Sequence, residues 1–148
     1  MINDYIWTTD RMFFKHEISE DLSCDTYSMH THNAYELIYF LNGDATHVIE
    51  DRKYKLKKGD IVLIRPFQYH FIQIDASATY ERYDILFDIE KHCVESVGMI
   101  PENVEVINIA GNSIVEDIFA NVTSIIKTVT ETSLRKFFLI CFPSCFTT

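Results

Sequence analysis

The sequence predicts an all-β domain with a C-terminal helix, in which antiparallel strands form a sandwich or barrel. Between Tyr35 and Phe87 the chain alternates short apolar runs with turn signals, and this spacing is typical of antiparallel β-proteins. The runs are rich in β-branched and aromatic residues, which favour strands over helices. From Ser113 onwards the apolar residues recur with helical spacing. Together these three observations predict a series of strands followed by a helix.

The composition is that of one compact domain spanning residues 1–148. Of its 148 residues 47% are hydrophobic, and only 4 are Gly and 3 are Pro, which excludes collagen-like and disordered chains. The net charge is −9 and the basic residues form no cluster, so the chain lacks the positive surface that nucleic-acid binding requires. We therefore expect that this chain itself binds no nucleic acid.

Targeting and cysteine patterns indicate a cytoplasmic protein. The amino terminus contains acidic residues and no continuous apolar core, unlike a signal peptide, and no segment approaches the roughly 20 apolar residues of a membrane span. The cysteines show neither metal-knuckle spacing nor the density of a secreted disulfide scaffold; they are Cys24, Cys93, Cys141 and Cys145. We expect reduced thiols, a cytoplasmic location and no membrane partner.

The order of these patterns divides the domain into three segments. Residues 1–29 mix aromatic and acidic residues without a sustained period and predict an amino-terminal arm with one or two short strands. Residues about 30–110 carry the barrel, and Asn42-Gly43 between two apolar runs predicts a hairpin there. Residues about 113–142 form a helical region, and the capping-box spacing of Ser113 and Glu116 marks its start.

Three histidines and one glutamate form the pattern that points most directly to chemistry. His30, His32 and Glu36 have even spacing, so on an extended strand their side chains share one face, and His70 follows on a later strand. Three imidazoles and a carboxylate form a ligand set suited to a divalent transition metal, with Zn, Fe, Mn, Co and Ni all compatible. The alternative interpretation is a pocket of hydrogen-bonded polar residues without a metal.

The same alternation predicts the walls of a ligand cavity. The predicted ligand-binding residues are Ile38, Phe40, Ile72 and Tyr83. The first two share the face of Glu36, and the third shares the face of His70. In the run YERYDILF the apolar residues alternate with polar ones, which predicts that Tyr83 points inward and Arg82 points outward. Apolar walls around a few polar groups are what a small-molecule site requires.

Two further features receive structural interpretations. The opposite face of the run YELIYFLN is also apolar, through Tyr35, Leu37, Tyr39 and Leu41. Burial by a homodimer partner, through the helix from Ser113, is the preferred explanation, and packing within the chain is the alternative. The remaining histidines have no partner at a recognisable spacing and are interpreted as surface or hydrogen-bonded residues; they are His16, His47 and His92.

The residues of the site also resemble a known family. The pattern HxHxxxExxxxxxG matches the first cupin motif with His30, His32, Glu36 and Gly43. The second cupin motif is matched more loosely by Gly59, Pro66 and His70. The longer run from HxHxxYELIYFLNG to YERYDILF resembles the amino-terminal sensing and dimerisation domain of AraC-type transcription regulators. The resemblance implies an RmlC-like jelly-roll β-barrel of the cupin superfamily.

The resemblance also implies a function. Domains of this family hold a small effector in the barrel, form homodimers through helices after the barrel, and precede a pair of helix-turn-helix modules that bind DNA. The sequence ends where the linker to those modules would begin, so we expect no DNA-binding domain in this chain. The predicted function is effector sensing and dimerisation, with no catalytic residue. The alternative is a stand-alone metal-dependent cupin enzyme of the dioxygenase or isomerase type.

Overall fold

A computed structural model describes residues 2–8, 12–20, 27–74, 79–88 and 100–128 of the chain. The strands in these ranges are β1 (Ile2–Thr8), β2 (Met12–Ser19), β3 (Tyr35–Asn42), β4 (Ala45–Ile49), β5 (Arg52–Lys55), β6 (Asp60–Ile64), β7 (His70–Ile74), β8 (Tyr80–Phe87) and β9 (Val106–Asn108). The helix α1 (Ser113–Thr128) follows them. The prediction of an all-β domain with a C-terminal helix is therefore confirmed.

The strands form two antiparallel sheets that share an apolar interior. The larger sheet has the strand order β1-β2-β8-β3-β6-β9, and the smaller has the order β5-β4-β7. Ile38 and Val62 from the larger sheet are buried in one cluster with Ile49 and Ile72 from the smaller sheet. Burial of this shared apolar surface holds the two sheets face to face.

The Asn42-Gly43 turn does not form the predicted hairpin. β3 pairs with β6 and β8, whereas β4 pairs with β5 and β7, so the turn carries the chain from one sheet to the other. Gly43 has a φ of 127°, and glycine adopts such backbone angles without steric cost. The prediction was wrong because both flanking strands have an apolar face to bury, and facing each other across the interior buries both.

The amino-terminal residues extend the larger sheet. β2 pairs with β8 along its whole length, from Met12 opposite Phe87 to Ser19 opposite Tyr80, and β1 pairs with β2. The side chains of Trp7 and Phe14 are buried, at 5% and 2% exposure. The aromatic residues of the segment predicted as an arm therefore serve as core residues of the sheet.

Helix α1 covers the outer face of the larger sheet within the same chain. The ring centroid of Phe119 lies 4.8 Å from those of Tyr39 and Tyr83, and Val122 is buried in the same cluster. Packing within the chain therefore buries the outer face of β3, which corrects the preferred interpretation that a dimer partner does so. The helix cap is also corrected: the Asn112 side chain accepts a hydrogen bond from the Val115 N–H, so the cap lies one residue before Ser113.

Some sequence predictions fall outside the described residues. They concern His92, the helical region from 129 to 142 and the four cysteines. The described part of the chain contains no helix long and apolar enough to cross a membrane.

Gly59 permits a close approach between two segments of backbone before β6. Its φ is 89°, and a Cβ atom there would lie 2.7 Å from the backbone of Ala110. We expect Gly59→Ala to lower the free energy of unfolding by about 2–4 kcal/mol, through backbone strain and overpacking. Gly111 has a similar φ of 83° with nothing within 4 Å of a Cβ, so Gly111→Ala should cost only about 1–2 kcal/mol. Equal losses of unfolding free energy in the two variants, measured by urea titration, would contradict this account.

Candidate metal and ligand site

The structure brings the four predicted polar residues into one cluster. His30 and His32 precede β3, Glu36 lies on β3, and His70 begins β7. Each residue offers one ligand atom, and these atoms lie within 4.8 Å of one another. The two histidines before β3 are not part of a regular strand, so the shared strand face expected from their spacing is wrong. Instead, backbone hydrogen bonds of 3.0 and 3.1 Å between His30 and His70 hold the loop against β7.

Backbone carbonyl groups orient all three imidazole rings. The Nδ1 atoms of His30, His32 and His70 lie 2.9, 3.0 and 2.9 Å from carbonyl oxygens two residues away. A carbonyl oxygen can only accept a hydrogen bond, so each Nδ1 carries a proton and donates it. In the neutral ring, Nε2 is then an unprotonated ligand atom. This arrangement is the one that fixes the tautomer of metal-binding histidines in proteins.

The carboxylate of Glu36 contacts two of these Nε2 atoms. Its Oε2 atom lies 2.9 Å from Nε2 of His32 and 3.0 Å from Nε2 of His70. Burial alone raises the pKa of Glu36, but the contacts with the two histidines outweigh it and hold the pKa well below its usual range. Contact with Glu36 raises the pKa of His32.

The donor set fits a divalent metal ion. With the Nδ1 protons donated to carbonyls, lone pairs of nitrogen and oxygen face each other at hydrogen-bond distance. Such an arrangement needs a positive charge between the atoms, which is supplied either by added protons or by a metal ion. Three nitrogen ligands and one carboxylate are compatible with Zn, Fe, Mn, Co or Ni.

The cluster forms one end of a cavity of about 170 Å³ between the two sheets. The cavity is lined by Tyr27, His30, His32, Glu36, His47, His70, Phe71, Ile72, Arg82, Asp84 and Leu86. Of the predicted wall residues, Ile72 lines the cavity. Ile38 and Phe40 are buried in the adjoining apolar cluster rather than in the cavity wall. A cavity of this size accommodates a ligand about as large as benzene.

The predicted orientation of β8 is reversed. Asp84 pairs with Ile38 and Tyr83 pairs with Tyr39, so Asp84 faces the interior and Tyr83 faces helix α1. The structure therefore corrects the prediction that Tyr83 lines the cavity and that Arg82 points outward. The alternation of apolar residues was a misleading guide to the orientation of β8, because the helix covers the outer face of this strand. The inner face carries the charged residues of the cavity.

Arg82 forms the centre of a buried charge cluster in the cavity wall. Its Nε lies 3.3 Å from Oε2 of Glu17, and its Nη2 lies 3.2 Å from Oδ2 of Asp84. The guanidinium also lies 4.9 Å from the centre of the Tyr27 ring, whose hydroxyl donates a hydrogen bond to Glu17. Burial raises the pKa of Glu17, but Arg82 and Tyr27 outweigh this effect and hold the pKa below its ordinary value.

Asp84 lies between Arg82 and the predicted metal ligands. Burial raises its pKa to about 7; Arg82 opposes this shift and Glu36 adds to it. Its Oδ2 atom contacts Arg82, while its Oδ1 atom is buried without a hydrogen-bond donor among the described residues. Glu36 acts on Asp84 through a side-chain hydrogen bond as well as through its charge, so the two carboxyl groups lie within reach of a shared proton.

His47 is a cavity residue that the sequence interpretation missed. Its side chain is 1% exposed, and neither ring nitrogen has a hydrogen-bond partner in the described part of the chain. Burial lowers the pKa of His47 to about 3, so the ring is neutral at physiological pH, with one donor and one acceptor. Its alternation with the buried residues Ala45 and Ile49 on β4 is the signal that could have placed it inside.

Known structures show which fold these two sheets form. AerE from Microcystis aeruginosa superposes with a TM-score of 0.55 at 14% identity, over 70% of this chain and 45% of AerE. A cupin superfamily protein from Desulfitobacterium hafniense gives a TM-score of 0.51 at 16% identity, over 60% of this chain and 79% of that one. An RmlC-like cupin from Methanocaldococcus jannaschii, with a double-stranded β-helix fold, gives 0.50 at 19% identity, over 59% and 80%. The fold is that of the cupins.

A family model defines the relationship more closely. The model of the AraC-like ligand binding domain matches residues 18–91, which is half of the chain. The chain therefore belongs to the AraC-like ligand binding domain family, and the sequence resemblance is confirmed. The match includes the cluster of three histidines and Glu36 together with His47, Arg82 and Asp84. No curated protein has a sequence that is significantly similar to this chain.

Proposed function

We propose that this chain is the small-molecule-sensing domain of an AraC-type transcription regulator, and that DNA contacts are made by modules outside it. The observation that carries the proposal is the cavity between the sheets, in a chain of the AraC-like ligand binding family. The cavity holds both ring nitrogens of His47, which are buried without partners among the described residues. Unpaired buried polar groups are costly, and a bound ligand that pairs them gains affinity.

A divalent transition metal bound at the four-residue cluster is part of the proposal. His30, His32, Glu36 and His70 would hold it, and the carbonyl contacts of the three rings support this assignment because they leave each Nε2 free. A metal so held would bind an oxygen or nitrogen atom of the effector directly.

The four-residue cluster also supports a second candidate function. The same four side chains would suit a metal-dependent dioxygenase or isomerase. The two functions differ in what happens to the ligand: a sensor releases it unchanged, whereas an enzyme converts many equivalents of it.

One experiment separates the two functions. The full chain is purified without chelator or a metal-binding tag, its metal content is measured, and small molecules are screened for a rise in melting temperature. Any molecule that stabilises the protein is incubated in excess with it under air and examined by NMR. We expect the molecule to be recovered unchanged. Its conversion in more than stoichiometric amounts would contradict the sensor function and support the enzyme.

Dimerisation through the outer face of helix α1 is a further part of the proposal. Ile114 and Ile118 lie one turn apart on this face and are 72% and 46% exposed, although the inner face of the helix is buried against the sheet. Helices with a second apolar stripe commonly pair with another copy. We expect a homodimer in light scattering, and a monomer after Ile118→Lys. Ser124→Lys, on another exposed face of the helix, should leave the dimer intact; a monomeric wild-type protein would contradict the proposal.

A further inference from the structure

The loop between β6 and β7 contacts all three histidines of the four-residue cluster. The N–H of Phe67 donates a hydrogen bond of 2.9 Å to the carbonyl of His32. The carbonyl of Gln68 accepts a hydrogen bond of 2.9 Å from Nδ1 of His70, and the backbone of His70 pairs with that of His30. The conformation of this loop therefore helps to set the positions of the three rings relative to one another.

The side chain of Gln68 fixes the loop from within. Gln68 lies between Phe67 and Tyr69, which are 67% and 55% exposed, yet its own side chain is half-buried. Its Oε1 atom accepts a hydrogen bond of 2.7 Å from the N–H of Arg65, and its Nε2 atom donates one of 3.0 Å to Oε1 of Glu105. One end of the amide therefore closes the loop, and the other end ties it to a distant segment.

The loop needs such support because its backbone is strained at Phe67. The φ of Phe67 is 66°, in the left-handed region that bulky side chains rarely adopt. A residue persists in this conformation only where the surrounding contacts impose it, and such residues concentrate at ligand sites. We expect the loop to relax when the contacts of Gln68 are removed.

Glu105 gives the Gln68 side chain a rigid support. The Glu105 side chain is fully buried and accepts hydrogen bonds from the guanidinium of Arg52 and, at 2.6 Å, from the hydroxyl of Tyr54. Both donors lie on β5 of the smaller sheet. The carbonyl of Glu105 also accepts a hydrogen bond of 2.8 Å from the N–H of Leu63 on β6 of the larger sheet. Glu105 therefore joins the two sheets beside the loop.

We propose that Gln68 is a positioning residue for metal binding. Its side chain, held between Arg65 and Glu105, fixes the loop, and the fixed loop keeps the Nε2 atoms of His32 and His70 turned into the cluster. Gln68 acts through the backbone, since its side chain contacts neither ring. The inference rests on the proposed metal site. Removal of an outer contact that orients metal ligands typically lowers metal affinity about 10–100-fold.

The variants Gln68→Met and Tyr54→Phe form a matched test, because each removes one hydrogen-bond donor from the same carboxylate of Glu105. Only Gln68→Met also releases the loop. The full chain of each variant is freed of metal and titrated with Co²⁺ at neutral pH, and the visible absorption spectrum reports the arrangement of the Co²⁺ ligands. Urea unfolding without metal measures the loss of stability separately.

We expect Gln68→Met to weaken Co²⁺ binding about 10–100-fold and to change the spectrum of the bound ion. Tyr54→Phe should bind Co²⁺ with wild-type affinity and spectrum, although it also lowers the urea midpoint. Gln68→Ala removes the same contacts with a smaller side chain, and it replaces Gln68→Met in the test if that variant does not fold.

Two outcomes would overturn the inference alone. They are wild-type Co²⁺ affinity and spectrum in the Gln68 variant, and an equal loss of affinity in Tyr54→Phe, which would show that the loss follows stability and not the loop. A wild-type protein that binds no Co²⁺ would overturn the inference together with the metal site. The screen for stabilising small molecules is independent of these titrations, so failure of the sensor function remains distinguishable.

Discussion

Glu36→Gln is expected to abolish stabilisation of the protein by divalent transition metals. In the wild-type protein, metal at about 100 times its dissociation constant should raise the free energy of unfolding by about 2.7 kcal/mol, because it binds only the folded state. The substitution retains the size of the side chain but removes the negative charge that balances the ion. It also presents an amide in place of the carboxylate that lies 2.9 and 3.0 Å from the Nε2 atoms of His32 and His70.

The measurement is the melting temperature with and without Zn²⁺, Mn²⁺, Co²⁺ and Ni²⁺, together with metal content by mass spectrometry. Glu102→Gln, which removes an exposed carboxylate outside the cavity, is the matched control and should respond to metal like wild type. Equal metal responses in the wild type and Glu36→Gln would contradict the four-residue metal site. No response to metal in either protein would indicate a pocket of hydrogen-bonded polar residues without a metal.

Glu17→Ala should destabilise the fold by about 3–5 kcal/mol, the usual loss when one partner of a buried ion pair is removed. The Glu17 side chain is 2% exposed and accepts hydrogen bonds from Tyr27 and Ser19, and it contacts Arg82 at 3.3 Å. Its removal leaves the buried guanidinium with only Asp84 as an acidic neighbour among the described residues that contact it. Urea unfolding of the wild type and the variant at neutral pH measures the difference.

The destabilisation should also depend on pH in a defined direction. The pKa of Glu17 is lower in the folded protein than its ordinary value, so the folded state favours the charged carboxylate. Its electrostatic contribution is fully present above the ordinary pKa of about 4.5 and is lost as the pH falls towards the folded-state pKa. The difference between wild type and Glu17→Ala should therefore shrink in acid.

Asp44 provides a comparison with an ion pair at the surface. Its carboxylate pairs with Lys55, and both side chains are 55% exposed, so Asp44→Asn should change the free energy of unfolding by only about 0–1 kcal/mol. A loss after Glu17→Ala no larger than that after Asp44→Asn would show that Glu17 and Arg82 do not form a stabilising buried cluster.

Much of the fold and of the cluster of three histidines and Glu36 could be predicted from local patterns. Alternating apolar runs separated by turns produce strands in any antiparallel arrangement, and the helical spacing after Ser113 produces a helix. The spacing of His30, His32 and Glu36, with His70 further along, identified the residues of the cluster. The structure brings these four side chains together even though the two histidines lie before β3, because backbone hydrogen bonds hold His30 against His70, and metal binding by them stays a prediction.

The tertiary structure alone decided which surfaces face the cavity. On β8 both faces carry residues that can be buried, and only the helix packed against Tyr83 shows that Arg82 and Asp84 point inward. Likewise, only the assignment of β3 and β4 to different sheets reveals that Asn42-Gly43 is not a hairpin. The strands, the helix and the cluster of three histidines and Glu36 could be predicted from the sequence, since they depend mostly on residues close together in the chain. The orientation of β8 and the charge cluster around Arg82 depend on packing between distant segments, which no local pattern encodes.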